Sequence, residues 1–312
     1  MRNFKRILVH ADTTAVAQPA LDRAAALARH VGADLMIVDV AGALPRHARR
    51  LLPETLRARL ESDRATRLAA LATDVEAGAA RGVRVATSAL TGRPAIAIVR
   101  EALRGKYDVL LRSRAAPAGQ WHGARFDAVD MQLLRKCPCP VWLVDSQPPR
   151  NGRVLAAIDP NPEDPVEQAL NRRIVELALY LVDVDYRELV ILNVWNAFGE
   201  SLLSPLAGDE DVAAYVNAAR EAAQHDLGEC LAPFGGRLDK VIVRLEQGEP
   251  GERIPALAAD EGVDLVVMGS VARTGIAGLV MGNTAERILS SLPCSVITVK
   301  PEGFVCPIAL ED

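Results

Sequence analysis

Apolar and polar residues alternate at two different spacings along the chain, and the change of spacing separates strands from helices. In the second half, residues 153–158 and 264–268 are short apolar runs of the kind found in strands buried on both faces. Residues 165–181 carry apolar side chains at helical spacing instead. The same criteria predict strands at 188–194, 240–245 and 295–299, and helices at 212–231, 251–260 and 285–292. Strands that alternate with helices predict a parallel sheet with helices on both faces, joined by right-handed crossovers.

The whole pattern occurs twice. Residues 5–12 resemble 152–159, and 92–98 resemble 248–254. Residues 107–111 match 263–267, and 138–144 match 293–299, in the same order and at nearly constant offset. A repeat of this length predicts a duplicated domain rather than a solenoid of short units. We therefore expect one domain at 1–147 and a second at 148–312, joined through the polar, proline-rich stretch 146–152.

Composition and charge exclude several classes of protein. The chain has 312 residues, a net charge of −4, and 4% aromatic residues. A mildly acidic chain with so few aromatic rings is a poor partner for nucleic acid. No apolar run reaches the ~18 residues of a membrane span, and the first residues lack the cleavage site of a signal peptide. Five cysteines, an odd number, favour reduced thiols, and the expected location is the cytoplasm.

A glycine-rich segment follows the predicted strand 264–268. It contains four glycines, counting Gly269 at its start and Gly282 at its end. A helix is predicted directly after it, with Asn283 and Thr284 as its cap and Glu286 completing a variant capping box. Glycines let a backbone approach a phosphate closely, and the N–H groups at a helix start attract anions. Arg273 adds a positive charge. The alternative is a flexible loop that binds nothing.

The spacing of this segment carries a family resemblance. Gly269, Ala272, Gly282 and Asn283 stand at the positions of the motif Gly-x2-Gly-x9-Gly-Ser/Thr, with alanine and asparagine as two departures and Thr284 next to the second. Together with residues 134–142 and the ending 300–304, the chain resembles the tandem-domain universal stress proteins of the UspA-like family, in particular the E-type members. The resemblance extends over essentially the whole chain.

The resemblance implies two tandem Rossmann-like domains, of the type seen in adenine nucleotide alpha hydrolases. Each would be a five-stranded parallel sheet in the order 3-2-1-4-5 with helices on both faces. It also implies a site for ATP or another adenine nucleotide with Mg²⁺, in the second domain only, for which Asp159 is the candidate magnesium partner. Around the adenosine and the base we expect Ala157, Asp159, Val194 and Met268. Around the phosphates and ribose we expect Gly269, Ser270, Ala272, Arg273, Gly282, Asn283 and Thr284.

The first half lacks this motif. Asp127 stands where Gly282 does, and a carboxylate at a helix start repels a phosphate, so the first half is predicted not to bind ATP. A different ligand remains open there: His10 and Asp12 at a strand end suit a metal, and nearby arginines suit an anionic head group. The alternative is a buried histidine beside solvent-facing arginines. The residues of this second candidate cleft are His10, Asp12, Arg112, Arg114 and Arg125.

Three functions follow from these observations. The first is a cytoplasmic stress-response protein that binds a nucleotide in its second domain as a sensor or slow switch. The second is a weak ATPase that uses the same site. The third is a tandem stress protein without a nucleotide, which binds a lipid or sugar phosphate or serves only in protein interaction. In each, the resemblance implies that the first domain pairs with the second as an intrachain pseudo-dimer, and two chains could associate further as a homodimer.

Overall fold

A computed structural model describes residues 4–15, 17–42, 51–114, 126–147, 149–197, 199, 208–270 and 281–310. The strands of the first half are β1 (Arg6–His10), β2 (Asp34–Gly42), β3 (Val85–Gly92), β4 (Val109–Ser113) and β5 (Val141–Val144). Its helices are α1 (Pro19–Val31), α2 (Glu54–Ala77), α3 (Pro94–Gly105) and α4 (Ala128–Lys136).

The second half repeats this order. Its strands are β6 (Arg153–Ile158), β7 (Glu188–Trp195), β8 (Ile242–Gln247), β9 (Leu265–Gly269) and β10 (Ser295–Val299). Its helices are α5 (Pro165–Val184), α6 (Asp209–Leu231), α7 (Pro250–Asp260) and α8 (Asn283–Ser291), with a 3₁₀ helix at Ala232–Leu238 after α6. The predicted elements of this half all exist, with ends shifted by a few residues.

The ten strands form one sheet in the order β3-β2-β1-β4-β5-β10-β9-β6-β7-β8. Within each half the order is the expected 3-2-1-4-5, and the pairs are parallel. The two expected parallel sheets are joined into one in the middle, where β5 and β10 pair antiparallel with Trp142 opposite Ile297. Both strands are buried and apolar, so pairing them covers two edges that would otherwise be exposed.

Alternate strand residues divide the core into two layers. Ile7 and Val9 belong to one apolar cluster, and Leu8 between them belongs to the other. Helices α1, α2, α5 and α6 cover the first face, and α3, α4, α7 and α8 cover the second. Four of these helices begin with a proline, which has no N–H to leave unpaired and is preset for the first turn. Those prolines are Pro19, Pro94, Pro165 and Pro250.

Two buried cations hold the halves together beside the β5–β10 pair. The guanidinium of Arg114, 3% exposed, donates to the carbonyl oxygens of Cys294 and Leu292 and pairs with Asp145 at 3.4 Å. Lys300 Nζ donates to the carbonyl oxygen of Leu134 and, at 2.6 Å, to Ser270 Oγ. Burial lowers the pKa of Lys300 to about 8. Both groups therefore join elements of the first half to elements of the second.

Among the described residues, none of the helices combines the length and the apolar character that crossing a membrane requires.

Candidate nucleotide site

A cavity of about 720 Å³ opens at the carboxyl ends of β6, β7 and β9. Strand β6 lies between the other two, so the connections leaving β6 and β9 depart on opposite faces of the sheet and leave a crevice at the strand ends. Ligands of open parallel sheets bind at such a switch point. Helices α5 and α6 wall the cavity on one side, and α7 and α8 wall it on the other.

The structure brings most of the predicted nucleotide residues together in this cavity. Ser270 lies apart from them: it is fully buried, its hydroxyl accepts from Lys300 Nζ, and its N–H donates to the carbonyl oxygen of Val299 at 3.3 Å. Ala272 and Arg273 lie outside the described residues. The predicted residues that line the cavity are Ala157, Asp159, Val194, Met268, Gly269, Gly282, Asn283 and Thr284.

Two buried asparagines fix the loop after β6. Asn171 of α5 accepts from the N–H of Asp159 at 3.1 Å and donates to the carbonyl oxygen of the same residue at 2.8 Å. Asn193 of β7 donates to the carbonyl oxygen of Ile158 at 3.2 Å. Both asparagines are 4% exposed and line the cavity. These hydrogen bonds were not predicted from the sequence, although an asparagine inside the apolar run of β7 is a signal that a buried backbone group needs a partner.

Gly269 packs against helix α5. A Cβ added to Gly269 would lie 2.9 Å from Leu170 Cδ2, so the missing side chain makes room for that helix. Leu170 and Ile174 of α5 in turn line the cavity. The glycine thus sets how closely α5 approaches the end of β9, in addition to any approach of a ligand to its backbone.

The start of helix α8 differs from the predicted capping box. The N-cap residue is Gly282, with φ −65° and ψ 145°, and no described side chain caps it. The prediction that Asn283 and Glu286 form the cap is wrong, because Asn283 already belongs to the helix and the Glu286 carboxylate accepts from Arg135 instead. A glycine has no side chain to offer, so among the described residues no side chain caps the N–H groups of the first turn, which begins beside the cavity.

The equivalent helix in the first half, α4, is capped at its N-terminus by its own side chains. Asp127 is the N-cap and accepts from the N–H of Asp130 at 2.7 Å, while Asp130 accepts from the N–H of Asp127 at 3.1 Å. Arg112 pairs with Asp127 at 2.8 Å and also with Asp130, which is fully buried. The first half therefore has two carboxylates that share one arginine where α8 has a glycine N-cap.

A second group of side chains that bind one another lies near the end of β2. The carboxylate of Asp39, 2% exposed, accepts from Thr13 Oγ1 at 2.5 Å and from Arg64 Nε at 2.7 Å. Arg64 belongs to α2, so this ion pair holds α2 against the strand ends of the first half. The contact was not predicted, because nothing in the sequence connects an aspartate of β2 with an arginine 25 residues later.

The candidate cleft of the first half does not assemble as predicted. His10 lies beside Arg112 in the sheet, and burial, with the charge of Arg112, lowers the pKa of His10 to about 4, so the imidazole is neutral at pH 7. Arg114 lies in the junction between the halves. Neither of these two arginines faces solvent, so the alternative interpretation holds for the largely buried His10 but not for Arg112 and Arg114, and Arg125 is outside the described residues.

Asp12, the remaining member of that group, is exposed and turns back on its own loop. It accepts from the N–H of Thr14 at 2.9 Å and from the Thr14 hydroxyl at 2.6 Å. Burial acts to raise the pKa of Asp12, but these two hydrogen bonds outweigh it and hold the pKa below its usual value. Within the described ranges, no group of three or more histidine, cysteine or acidic side chains is arranged to hold a metal ion.

Comparison with known proteins agrees with this architecture. The family model for the universal stress protein family matches twice, over residues 3–145 and 151–300. "Universal stress protein E" of Photorhabdus laumondii is 30% identical over 319 residues, covering 99% of this chain and 98% of that protein. "Universal stress protein E" of Salmonella typhi is 32% identical over 222 residues, covering 70% of this chain and 69% of that protein.

A solved structure supports the fold over the same length. A protein of unknown function from Pseudomonas aeruginosa PAO1 superposes with a TM-score of 0.68, at 22% identity, covering 96% of this chain and 94% of that one. The repeated strand order, the paired family matches and the full-length relative lead to one conclusion. The chain belongs to the universal stress protein family and carries two tandem copies of its domain.

Proposed function

We propose that this protein is a stress-response protein that binds one adenine nucleotide in its second half and none in its first. The observation that carries the proposal is the contrast between two equivalent helix starts. In the second half, the N-cap of α8 is Gly282, which opens onto a cavity of about 720 Å³. In the first half, Asp127 caps α4 and pairs with Arg112.

The cavity divides into a part suited to phosphates and a part suited to a base. The open N–H groups at the start of α8, next to Asn283 and Thr284, suit phosphate oxygens. Val194 and Met268, 7% and 3% exposed, supply apolar surface for the base. Asp159, whose backbone the Asn171 amide fixes, offers the carboxylate type of donor that Mg²⁺ takes together with nucleotide phosphates.

Bound Mg²⁺ would neutralise part of the phosphate charge. This matters because the described wall of the cavity also contains the carboxylates of Glu167, Asp226 and Glu249. An acidic wall disfavours a free triphosphate and tolerates its magnesium complex better. We therefore propose the magnesium complex of an adenine nucleotide as the ligand.

We propose further that the two halves act as an intrachain pseudo-dimer. The antiparallel β5–β10 pair and the buried contacts of Arg114 and Lys300 support this arrangement. In this arrangement the second half binds the nucleotide. The first half supports the fold of the second half and does not provide another nucleotide site.

A matched pair of substitutions at Gly282 tests the nucleotide site. Gly282→Asp gives α8 the same cap as α4, and Gly282→Asn is nearly isosteric but uncharged. Both side chains cap helices well. Both side chains close the N–H groups at the start of α8, but only the aspartate also adds a charge beside the phosphates, so Gly282→Asp is expected to bind ATP–Mg²⁺ about tenfold more weakly than Gly282→Asn.

Isothermal titration calorimetry measures both affinities, and thermal unfolding without nucleotide confirms that both variants fold. The glycine at 282 has an ordinary backbone conformation, so neither side chain strains it. Equal affinity in the two variants would contradict the placement of phosphates at α8. No binding heat with the unsubstituted protein would contradict the proposed function itself.

A further inference from the structure

Helix α6 forms a wall of the cavity that the phosphate site does not require. Ala219, Ala222, Ala223 and Asp226 all line the cavity. Their spacing of three, one and three residues places them on a single face of the helix. The wall therefore consists of three methyl groups with a carboxylate one turn further along.

This wall stands over open space rather than over the core. The buried residues of α6 are Leu227 and Leu231, both at its C-terminal end. Ala219 and Ala223 are only half-buried, and Ala222 is exposed, although all three line the cavity. The helix is thus anchored at one end, and its alanine face lies opposite the strand ends across an unfilled volume.

The equivalent helix of the first half is packed in a different way. In α2, Leu68 is 2% exposed and belongs to the apolar core, and Arg64 is tied to the buried Asp39. There the space under the helix is taken by larger side chains of the protein itself. The small side chains of α6 therefore line the cavity described in the second half.

The opposite wall of the cavity is apolar. Val194, Met268 and Ile254 line it from β7, β9 and α7, and each is buried. A cavity with an apolar wall on one side and small side chains on the other suits a flat ring better than a branched or strongly charged group. A nucleotide base is such a ring, and its polar edge requires a partner.

Asp226 is the polar group available on the α6 wall. It is half-buried, and it forms no hydrogen bond or ion pair within the part of the chain that the structure describes. An ionised carboxylate can only accept hydrogen bonds. It therefore attracts an amino group on a base edge and repels a carbonyl oxygen in the same place.

We propose that the α6 wall selects the base of the bound nucleotide, with the Asp226 carboxylate accepting a hydrogen bond from the exocyclic amine of adenine. The inference rests on the proposed function, since it concerns the same ligand. It makes Asp226 a specificity-determining residue and favours adenine over hypoxanthine, which carries a carbonyl oxygen in place of that amine. The alanines serve to leave room for the ring.

The test compares ATP–Mg²⁺ with inosine triphosphate–Mg²⁺ by calorimetric titration. The unsubstituted protein is expected to bind ATP about tenfold more tightly, the difference of one well-formed hydrogen bond to a charged group. Asp226→Asn supplies an amide that both donates and accepts, so the two affinities should come within about twofold. Ala222→Phe fills the ring space and should weaken both nucleotides by about tenfold or more.

Ala214→Phe is the matched control, because Ala214 is exposed on α6 and does not line the cavity. It should bind both nucleotides as the unsubstituted protein does. Equal affinity of the unsubstituted protein for the two nucleotides, an unchanged preference in Asp226→Asn, or equal behaviour of the two phenylalanine variants would each overturn this inference and leave the proposed function standing. If the unsubstituted protein bound neither nucleotide, the proposed function would fall, and this inference with it.

Discussion

Replacing Arg114 with methionine is expected to lower the free energy of unfolding by about 3–5 kcal/mol. Arg114 is 3% exposed, and its guanidinium crosses from the end of β4 to the turn before β10. Methionine keeps much of the apolar volume but removes every donor. The Asp145 carboxylate and the carbonyl oxygens of Cys294 and Leu292 would then lose a charged partner while remaining largely buried.

Chemical denaturation followed by tryptophan fluorescence measures this loss, since Trp142 is buried in the β5–β10 pair beside the junction. Arg67→Met is the control, because Arg67 forms an ion pair with Asp63 on the surface of α2, with both side chains about half exposed. Such a pair contributes about 0–1 kcal/mol. Equal losses in the two variants would show that Arg114 does not hold the two halves together.

Asp130→Ala is expected to cost about 3 kcal/mol or more. Asp130 is fully buried at the start of α4, accepts from the N–H of Asp127 and pairs with Arg112. Its removal leaves the guanidinium of Arg112 with one carboxylate instead of two and opens the reciprocal cap. Asp130→Asn, which keeps the shape and an acceptor oxygen but not the charge, should cost less.

A double-mutant cycle with Arg112→Met separates the ion pair from the cap. Because the two side chains are in contact, the double variant should be more stable than the sum of the single losses predicts, by about 1 kcal/mol or more. Strictly additive losses would show that Arg112 and Asp130 do not stabilise each other. That result would also remove one support for the proposal that the first half binds no nucleotide.

The fold could be predicted because its determinants are local and repeated. Apolar runs such as Val154 to Ile158 predict strands without any other information. The recurrence of four sequence blocks in the same order indicates that the second half has the same fold as the first. The glycine motif likewise predicted one part of the cavity lining, Gly269, Gly282, Asn283 and Thr284, because its residues follow in the sequence from the end of β9. That the two halves pair was an expectation from the family resemblance alone, and it did not include the antiparallel direction of the β5–β10 pair.

The errors concern side chains whose partners lie far away in the sequence. Nothing near Arg114 indicates that its guanidinium reaches Cys294, 180 residues later, rather than a ligand. Ser270 looked like a phosphate ligand because of its neighbours, but it is buried and its hydroxyl accepts from Lys300. The start of α8 was placed two residues late, at 285 instead of 283, because glycine and asparagine are both acceptable N-caps.

The two halves share a fold, but only the second is proposed to bind a nucleotide, so the number of nucleotides bound per chain distinguishes the two halves. Equilibrium dialysis of the full chain against ATP–Mg²⁺ should give one nucleotide per chain at saturation. That value should persist in Asp127→Asn, which alters the first half, and binding should weaken strongly in Gly282→Asp, which alters the second. Two nucleotides per chain, or one that Asp127→Asn removes and Gly282→Asp spares, would contradict the account.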